Sequence, residues 1–316
     1  MRERNENSSV LWDTIILGGG PAGYTAGLYA ARAGLKALIL EKLSAGGQMA
    51  LSHQIDNYPG FEDGIDGFAL AEKMQAQAER FGAVTELAQV LSVELSASPK
   101  TVRTSEGTYS GKTVIIATGA GPKALGLPEE QALTGRGVHY CAACDGMFYR
   151  GKTVVVVGGG NSAAADALLL SRVAKKVILV HRRDRLRATS VYHGPLMALE
   201  NLEFCWNSRV TQLLHGQTLT GIRVENLVDG SQREIPCDGL FVSIGRQPET
   251  ALFAPALTLD PAGYIPAGES TKTEIPGVFA AGDVRAKPLH QIVTAVADGA
   301  VAVEMVQQYL SERKEG

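Results

Sequence analysis

Positive charge, cysteine and long apolar runs are all scarce in this chain, and each scarcity removes a class of function. Thirty Lys and Arg residues stand against 33 Asp and Glu, giving a net charge of −3 and a pI near 6.1. That leaves no excess of positive charge for nucleic acid or an anionic membrane surface. No apolar run approaches the roughly 18 residues of a membrane span, and the opening MRERNENSSV lacks the apolar core of a signal peptide. A soluble cytoplasmic protein is expected. Four cysteines in 316 residues are too few for a secreted disulfide scaffold.

Glycine, by contrast, is plentiful at 36 residues, and it is clustered. In WDTIILGGGPAGYTAGLYAARAGLKALILEK (12–42), the apolar run IIL leads into Gly18, Gly20 and Gly23, spaced G-x-G-x-x-G. An Ala-rich helix is predicted up to Gly34, then a second apolar run, ALIL, that ends at Glu41. Strand, glycine turn, helix, strand and an acid about 20 residues on form the dinucleotide-binding βαβ fingerprint. Gly18 allows the tight turn, Gly20 lets backbone approach a pyrophosphate, and Gly23 brings helix and strand together. The helix N-terminus offers unpaired N–H groups to the phosphates, and Glu41 would accept hydrogen bonds from a ribose diol.

A shift of 140 positions lays this unit, without a gap, on KTVVVVGGGNSAAADALLLSRVAKKVILVHRR (152–183). Gly158, Gly160 and Ala163 replace the three glycines, and His181 falls where Glu41 stood. His181, Arg182 and Arg183, with Arg187 about a helical turn further on, suit a 2′-phosphate, which an acid would repel and arginines bind in bidentate fashion. NADPH is therefore expected over NADH at the second site. A third stretch, TEIPGVFAAGDV (273–284), runs an apolar strand into Gly282-Asp283 and suggests that the chain returns to complete the first unit.

The expected architecture is α/β, with two Rossmann-like dinucleotide-binding domains, one inserted into the other. Residues 1–119 begin the outer domain and close on the apolar strand TVIIATG (113–119). Residues 120–245 form the inserted domain, ending in the similar strand LFVSIG (240–245), and residues 246–316 rejoin the outer one with a helix from Val293 to about Tyr309. Two of the four cysteines, Cys141 and Cys144, lie in HYCAACDGMF (139–148), with Asp145 directly behind them. At this spacing two thiols can grip a metal, staple a loop or shuttle electrons.

The ordered set GGGPAG (18–23), GGQ (46–48), NYPGF (57–61), ATG (117–119), CxxCDG (141–146), GGGNSA (158–163), HRRxxxRA (181–188) and FAAGD (279–283) resembles the low-molecular-weight thioredoxin reductases over nearly the whole chain. The resemblance implies FAD in the outer domain and NADPH in the inserted one. It carries FAD contacts onto Gly18, Gly20, Pro21, Ala22, Gly23, Glu41, Lys42, Gly47, Gln48, Asn57, Ala117, Thr118, Gly119, Gly282, Asp283, His290, Gln291 and Ile292. The family usually has an Arg-Gln pair where this chain reads His290-Gln291. For NADPH it names Gly158, Gly160, Asn161, Ser162, His181, Arg182, Arg183 and Arg187.

With that family in view, the dithiol reads as a redox pair. Zinc would need two more ligands, and Cys205 and Cys237 stand alone at unrelated spacings, as buried small hydrophobes would. A staple between residues three apart closes almost no chain. The resemblance implies that Cys144 sits against the flavin, that Cys141 attacks the partner disulfide, and that Asp145 serves as proton acceptor and donor. It also implies a homodimer, an inserted domain that swings to bring nicotinamide and disulfide to the flavin in turn, and thioredoxin docking near Arg136, Met147 and Phe148. An NADPH clamp counts against a same-fold dithiol oxidase or a ferredoxin-driven reductase.

Overall fold

The computed structural model describes residues 10–52 and 54–313, the side chains of Leu51 and Cys144 excepted. In chain order come β1 (Leu11–Leu17), α1 (Pro21–Arg32), β2 (Ala37–Glu41), α2 (Gly67–Arg80), β3 (Val84–Leu87), β4 (Val90–Glu94), β5 (Lys100–Thr104), β6 (Thr108–Ile116) and β7 (Ala120–Pro122). The middle of the chain adds α3 (Glu130–Leu133), β8 (Val138–His139), α4 (Ala142–Asp145), β9 (Thr153–Val157), α5 (Asn161–Ser171), β10 (Lys176–Val180), α6 (His193–Met197), β11 (Leu202–Cys205), β12 (Ser208–His215), β13 (Leu219–Asn226), β14 (Gln232–Pro236) and β15 (Gly239–Val242). Last come β16 (Arg246–Pro248), β17 (Val278–Ala280) and α7 (Ile292–Glu312). Two compact units result: one holds the residues up to Gly121 and those from Gln247 onward, the other holds Pro122–Arg246.

In the first unit β3, β2, β1, β6 and β17 lie side by side, all parallel, with β17 on the far end of β6. The near end of β6 pairs antiparallel with β5, and β5 with β4. Successive residues of β1 alternate between two cores. Ile16 joins Ile39, Ile115 and Phe279 beneath the helices, whereas Ile15 and Leu17 join Leu38, Leu40, Val114 and Ile116 on the other face. A parallel strand covered on both faces reads as a continuous apolar run, which is why TIIL and ALIL carry so little polarity.

The second unit repeats the plan. Its parallel order is β11-β10-β9-β15-β8, with β12-β13-β14 as an antiparallel sheet beside it. One difference matters: its outermost parallel strand, β8, comes before the glycine turn in sequence, while the matching β17 comes from the distant C-terminal segment.

The strands predicted over 113–119 and 240–245 end early, at Ile116 and Val242. ATG and SIG therefore lie past the sheet edge, where Gly119 and Gly245 adopt positive φ values of 73° and 115° that end extended pairing. The C-terminal helix is longer than its apolar pattern suggested, running from Ile292 to Glu312. It lies hard against α1, where a Cβ on Gly299 would run into the Ala22 carbonyl oxygen.

A buried ionic cluster fixes the turn after β17. Asp298 on α7 accepts from the Gly282 N–H at 2.9 Å, from Arg285 Nε at 2.8 Å and Nη2 at 2.6 Å, and from Lys287 Nζ at 3.0 Å. Arg285 Nη1 also donates to the Ala267 carbonyl at 3.0 Å. Burial acts against ionisation of Asp298, but the hydrogen bonds and charges of Arg285 and Lys287 override it and hold the carboxyl below its ordinary value. Its stabilising contribution is thus present above the unfolded carboxylate range and is lost as pH falls through the lowered folded value. Asp298→Asn leaves Arg285 buried without its carboxylate partner and Lys287 with only Asp283, at 3.6 Å, which costs about 3–5 kcal/mol. Denaturant unfolding at neutral pH is expected to show that loss, and the gap to the parent protein is expected to narrow in acid.

Candidate dinucleotide turns and dithiol

Each glycine of the first turn meets a different spatial demand. A Cβ on Gly23 would run into the Gly18 carbonyl oxygen, and one on Gly18 into Ala117, so these two let strand and helix touch. Among the described residues, a Cβ on Gly20 would meet nothing closer than 4.0 Å, and one on Gly160 in the second unit nothing within 4 Å. Packing does not demand glycine at either place. Open space beside a helix N-terminus, with Pro21 setting the first turn of α1, is what a pyrophosphate needs.

The Glu41 carboxylate lies where β2 ends and turns back onto this loop. Oε2 accepts from the Gly19 N–H and Oε1 from the Lys42 N–H, each at 2.7 Å. The half-exposed acid thus stands beside the glycine turn, as a ribose acceptor must. Ala22 faces the second part of this site, since a Cβ on Gly282 (φ 78°) would lie 2.9 Å from its own. Gly282-Asp283 therefore closes on the start of α1, although some 260 residues separate them (282 − 22 = 260). Asn57 Nδ2 donates to Gln291 Oε1 at 3.0 Å, bringing two further expected positions together. His290 stacks on Tyr264 with ring centroids 5.3 Å apart. Ala117 is buried, Gly47 and Gln48 are exposed, Thr118 Oγ1 donates to the Glu249 carbonyl at 2.8 Å, and Ile292 opens α7.

In the second unit, residues 181–189 form a bent loop rather than the helical turn that the spacing of Arg187 suggested. The N–H groups of Arg187 and Ala188 donate to the Gly159 carbonyl at 2.7 and 3.0 Å, and Thr189 N–H donates to Asn161 Oδ1 at 2.8 Å. Leu186 and Ala188 are buried, while Arg182, Arg183 and Arg187 are exposed. The basic loop is thereby tied to the glycine turn with its guanidinium groups outward. His181 is buried against Gly159, and its Nε2 has no hydrogen-bond partner among the described residues. Burial, then the charges of Arg187, Arg183 and Arg182, lower its pKa and keep the ring neutral near pH 7. An orphaned polar atom beneath three arginines suits an oxygen-rich ligand.

Cys141 caps α4 and is disulfide-bonded; its carbonyl accepts the Asp145 N–H at 3.1 Å. The side chain of Cys144 lies outside the described residues. Asp145 Oδ2 lies 2.9 Å from His139 Nδ1, and the other ring nitrogen lies 2.6 Å from the Tyr149 hydroxyl. Sequence reasoning overlooked His139 and Tyr149; a histidine on a strand two residues before a CxxC was the available signal. Met147, Phe148 and Arg136 are exposed. Among the described residues no helix is long and apolar enough to cross a membrane.

A family model described as pyridine nucleotide-disulphide oxidoreductase matches residues 12–299. A thioredoxin reductase of Listeria monocytogenes is 44% identical over 306 residues, covering 96% of each chain, and one of Streptomyces clavuligerus is 46% identical over 302, covering 95% of this chain and 94% of its own. The crystal structure of the thioredoxin reductase from Streptococcus pyogenes superposes with a TM-score of 0.81 at 42% identity, over 97% of this chain and all of its own.

Cys205 and Cys237 are free and buried, as expected of small core residues. Burial, then the Asp238 charge, pushes the Cys237 thiol up to about 12. Iodoacetamide at pH 8 is expected to leave both unmodified in the native oxidised protein and to label both after denaturation, as peptide mass spectrometry would report.

Proposed function

The chain belongs to the pyridine nucleotide-disulphide oxidoreductase family, and we propose that it is a thioredoxin reductase, passing electrons from NADPH through FAD and the Cys141–Cys144 disulfide to oxidised thioredoxin. The observation that carries this reading is the disulfide-bonded Cys141, seated with Asp145 in the same unit as a glycine turn backed by arginines. Family membership implies a flavin and NAD(P)H. The first unit, with Glu41 and the open space at Gly20, suits FAD; the second suits NADPH. FAD, when bound, accepts a hydride and delivers two electrons to a disulfide.

The protein's own task is to hold, orient and move protons. Glu41 binds a diol and repels a 2′-phosphate, so it selects between the two cofactors. Arg182, Arg183 and Arg187 do the reverse, with a neutral His181 beneath them that adds no charge of its own. Once the dithiol is formed, Asp145 takes the proton of Cys141, because the thiolate and not the thiol is the nucleophile. The Cys141 thiolate attacks the partner disulfide: a mixed disulfide forms, the partner S–S bond breaks, and the departing thiolate regains the proton from Asp145. Cys144 then attacks Cys141, closing the internal disulfide and releasing reduced thioredoxin with the second proton. Exposed Arg136, Met147 and Phe148 offer charge, an adaptable thioether and an aromatic ring for docking. A homodimer, as in the resembled family, completes the reading.

The decisive assay mixes purified protein, FAD, NADPH and a disulfide-form thioredoxin, and follows free thiols with a dithiol-reactive dye. Turnover with NADPH is expected; a colourless protein, or none of the thioredoxins tested being reduced, would defeat the reading. Replacing Arg182 and Arg183 together by Ala removes charge-assisted contacts of about 1.5–3 kcal/mol each, roughly ten- to a hundredfold per contact in affinity. The apparent KM for NADPH is expected to rise steeply while that for NADH changes little.

A further inference from the structure

At the end of the short helix that Cys141 opens, a largely buried chain links three side chains from three separate elements. Asp145 ends α4, His139 ends β8, and Tyr149 closes the short 3-10 turn 146–149. His139 and Tyr149 are each only 7% exposed, and the Asp145 side chain 15%. The His139 ring stacks on Phe241 of β15 at 5.3 Å and meets Tyr149 edge-on at 5.2 Å. It is stacked on one face and has a polar partner at each nitrogen. Tyr149 is itself hemmed in, since a Cβ on Gly239 would strike its ring.

One order of donors satisfies both contacts of the ring. Burial, then the negative charges of Asp145 and Asp238, pushes the Tyr149 hydroxyl up to about 12, so it keeps its proton throughout the working range. Lys152, whose Nζ lies 5.4 Å from the Tyr149 ring centroid, is the cation nearby. A protonated hydroxyl at 2.6 Å from Nε2 can donate to it. Nδ1 then carries the ring proton and donates to Asp145 Oδ2 at 2.9 Å. One carboxylate oxygen is thereby tethered, which leaves Oδ1 to carry an exchangeable proton. A histidine whose second nitrogen is fixed by a further partner is locked in one tautomer and one orientation.

We propose that His139 is the positioning residue of the dithiol's acid–base group: its Nδ1–H, fixed by Tyr149, holds Asp145 as a carboxylate ready to take the Cys141 proton and return it to the departing partner thiolate. This rests on the function proposed above. Electrons move only between the sulfurs, the Cys141–Cys144 dithiol being oxidised as the partner disulfide is reduced. The proton travels from Cys141 to Asp145 Oδ1 and on to the partner. His139 neither gains nor loses a proton in the step; it stabilises the ionised acid.

The Nδ1–H stabilises the ionised carboxylate, so removing that donor makes Asp145 less able to stay ionised beside the dithiol. His139→Phe preserves stacking on Phe241 and removes the donor. The acid-side inflection in kcat against pH, measured with saturating NADPH and a thioredoxin, is expected to move up by about one pH unit or more. Tyr149→Phe, which frees the ring to change tautomer, is expected to move it the same way by less. Superimposable profiles, or a displacement to lower pH, would overturn the proposal. A second measurement needs neither turnover nor a substitution in the core. The 15N shifts of His139 in the flavin-loaded oxidised protein are expected to report the Nδ1–H tautomer, and an Nε2–H tautomer would overturn the assignment. If no thioredoxin is reduced, the proposed function fails while the imidazole spectrum still decides the geometry.

Discussion

Everything in this molecule depends on how closely a strand and the helix that follows it can approach. At Gly18 and Gly23 the backbone of the first turn passes so near itself that no side-chain carbon fits between them. That closeness aims the unpaired N–H groups of α1 at a point just beyond the sheet edge. Glu41, Ala117 and Gly282 surround that point because their strands, β2, β6 and β17, are bound in the same parallel sheet as β1, and each ends or turns there. The second unit uses Ala163 where the first needs Gly23, with its Cβ lying in the space that Gly158 leaves free.

The local features were legible in the sequence, and the long-range ones were not. The spacing of Gly18, Gly20 and Gly23, the apolar runs of β1 and β2 and the position of Glu41 all report on neighbours within one βαβ unit. The exchange of Glu41 for His181 could be read because the duplicated units align without a gap. The shape of the 181–189 loop could not, since it is set by the Gly159 carbonyl and by Asn161, more than twenty residues upstream. Charge spacing alone suggested a helical turn there. The Asp298 cluster escaped for the same reason. Its Arg285, Lys287 and Gly282 partners lie on another element, and nothing in the pattern of α7 distinguishes an acid that caps a buried cluster from a solvated one.

His139 shows a further limit of pattern reading. Strand β8 is two residues long, and its histidine is surrounded by sequence that reads equally well as a turn. Only the sheet, by pairing Val138 and His139 with Leu240 and Phe241, turns the ring toward Asp145 and Tyr149. The CxxC motif announced the sulfurs, whereas the contacts that join Asp145 to His139 and His139 to Tyr149 had to be found in the fold. Motifs mark local spacing more readily than they mark contacts between separate elements.

The two units are copies in strand order but not in how the chain supplies them. All five parallel strands of the second unit come from one continuous stretch, Val138–Val242, so it can close as soon as that stretch is available. The first unit lacks β17 and α7 until the C-terminal segment has been made, and its apolar face over Ile16, Ile39 and Ile115 has no helical lid from α7 before then. Domains fold as units during synthesis, in general from the N-terminus first. Here the order of completion runs the other way: the domain that begins the chain is the last to be finished, and during translation its half-covered sheet is the aggregation-prone surface of the nascent protein.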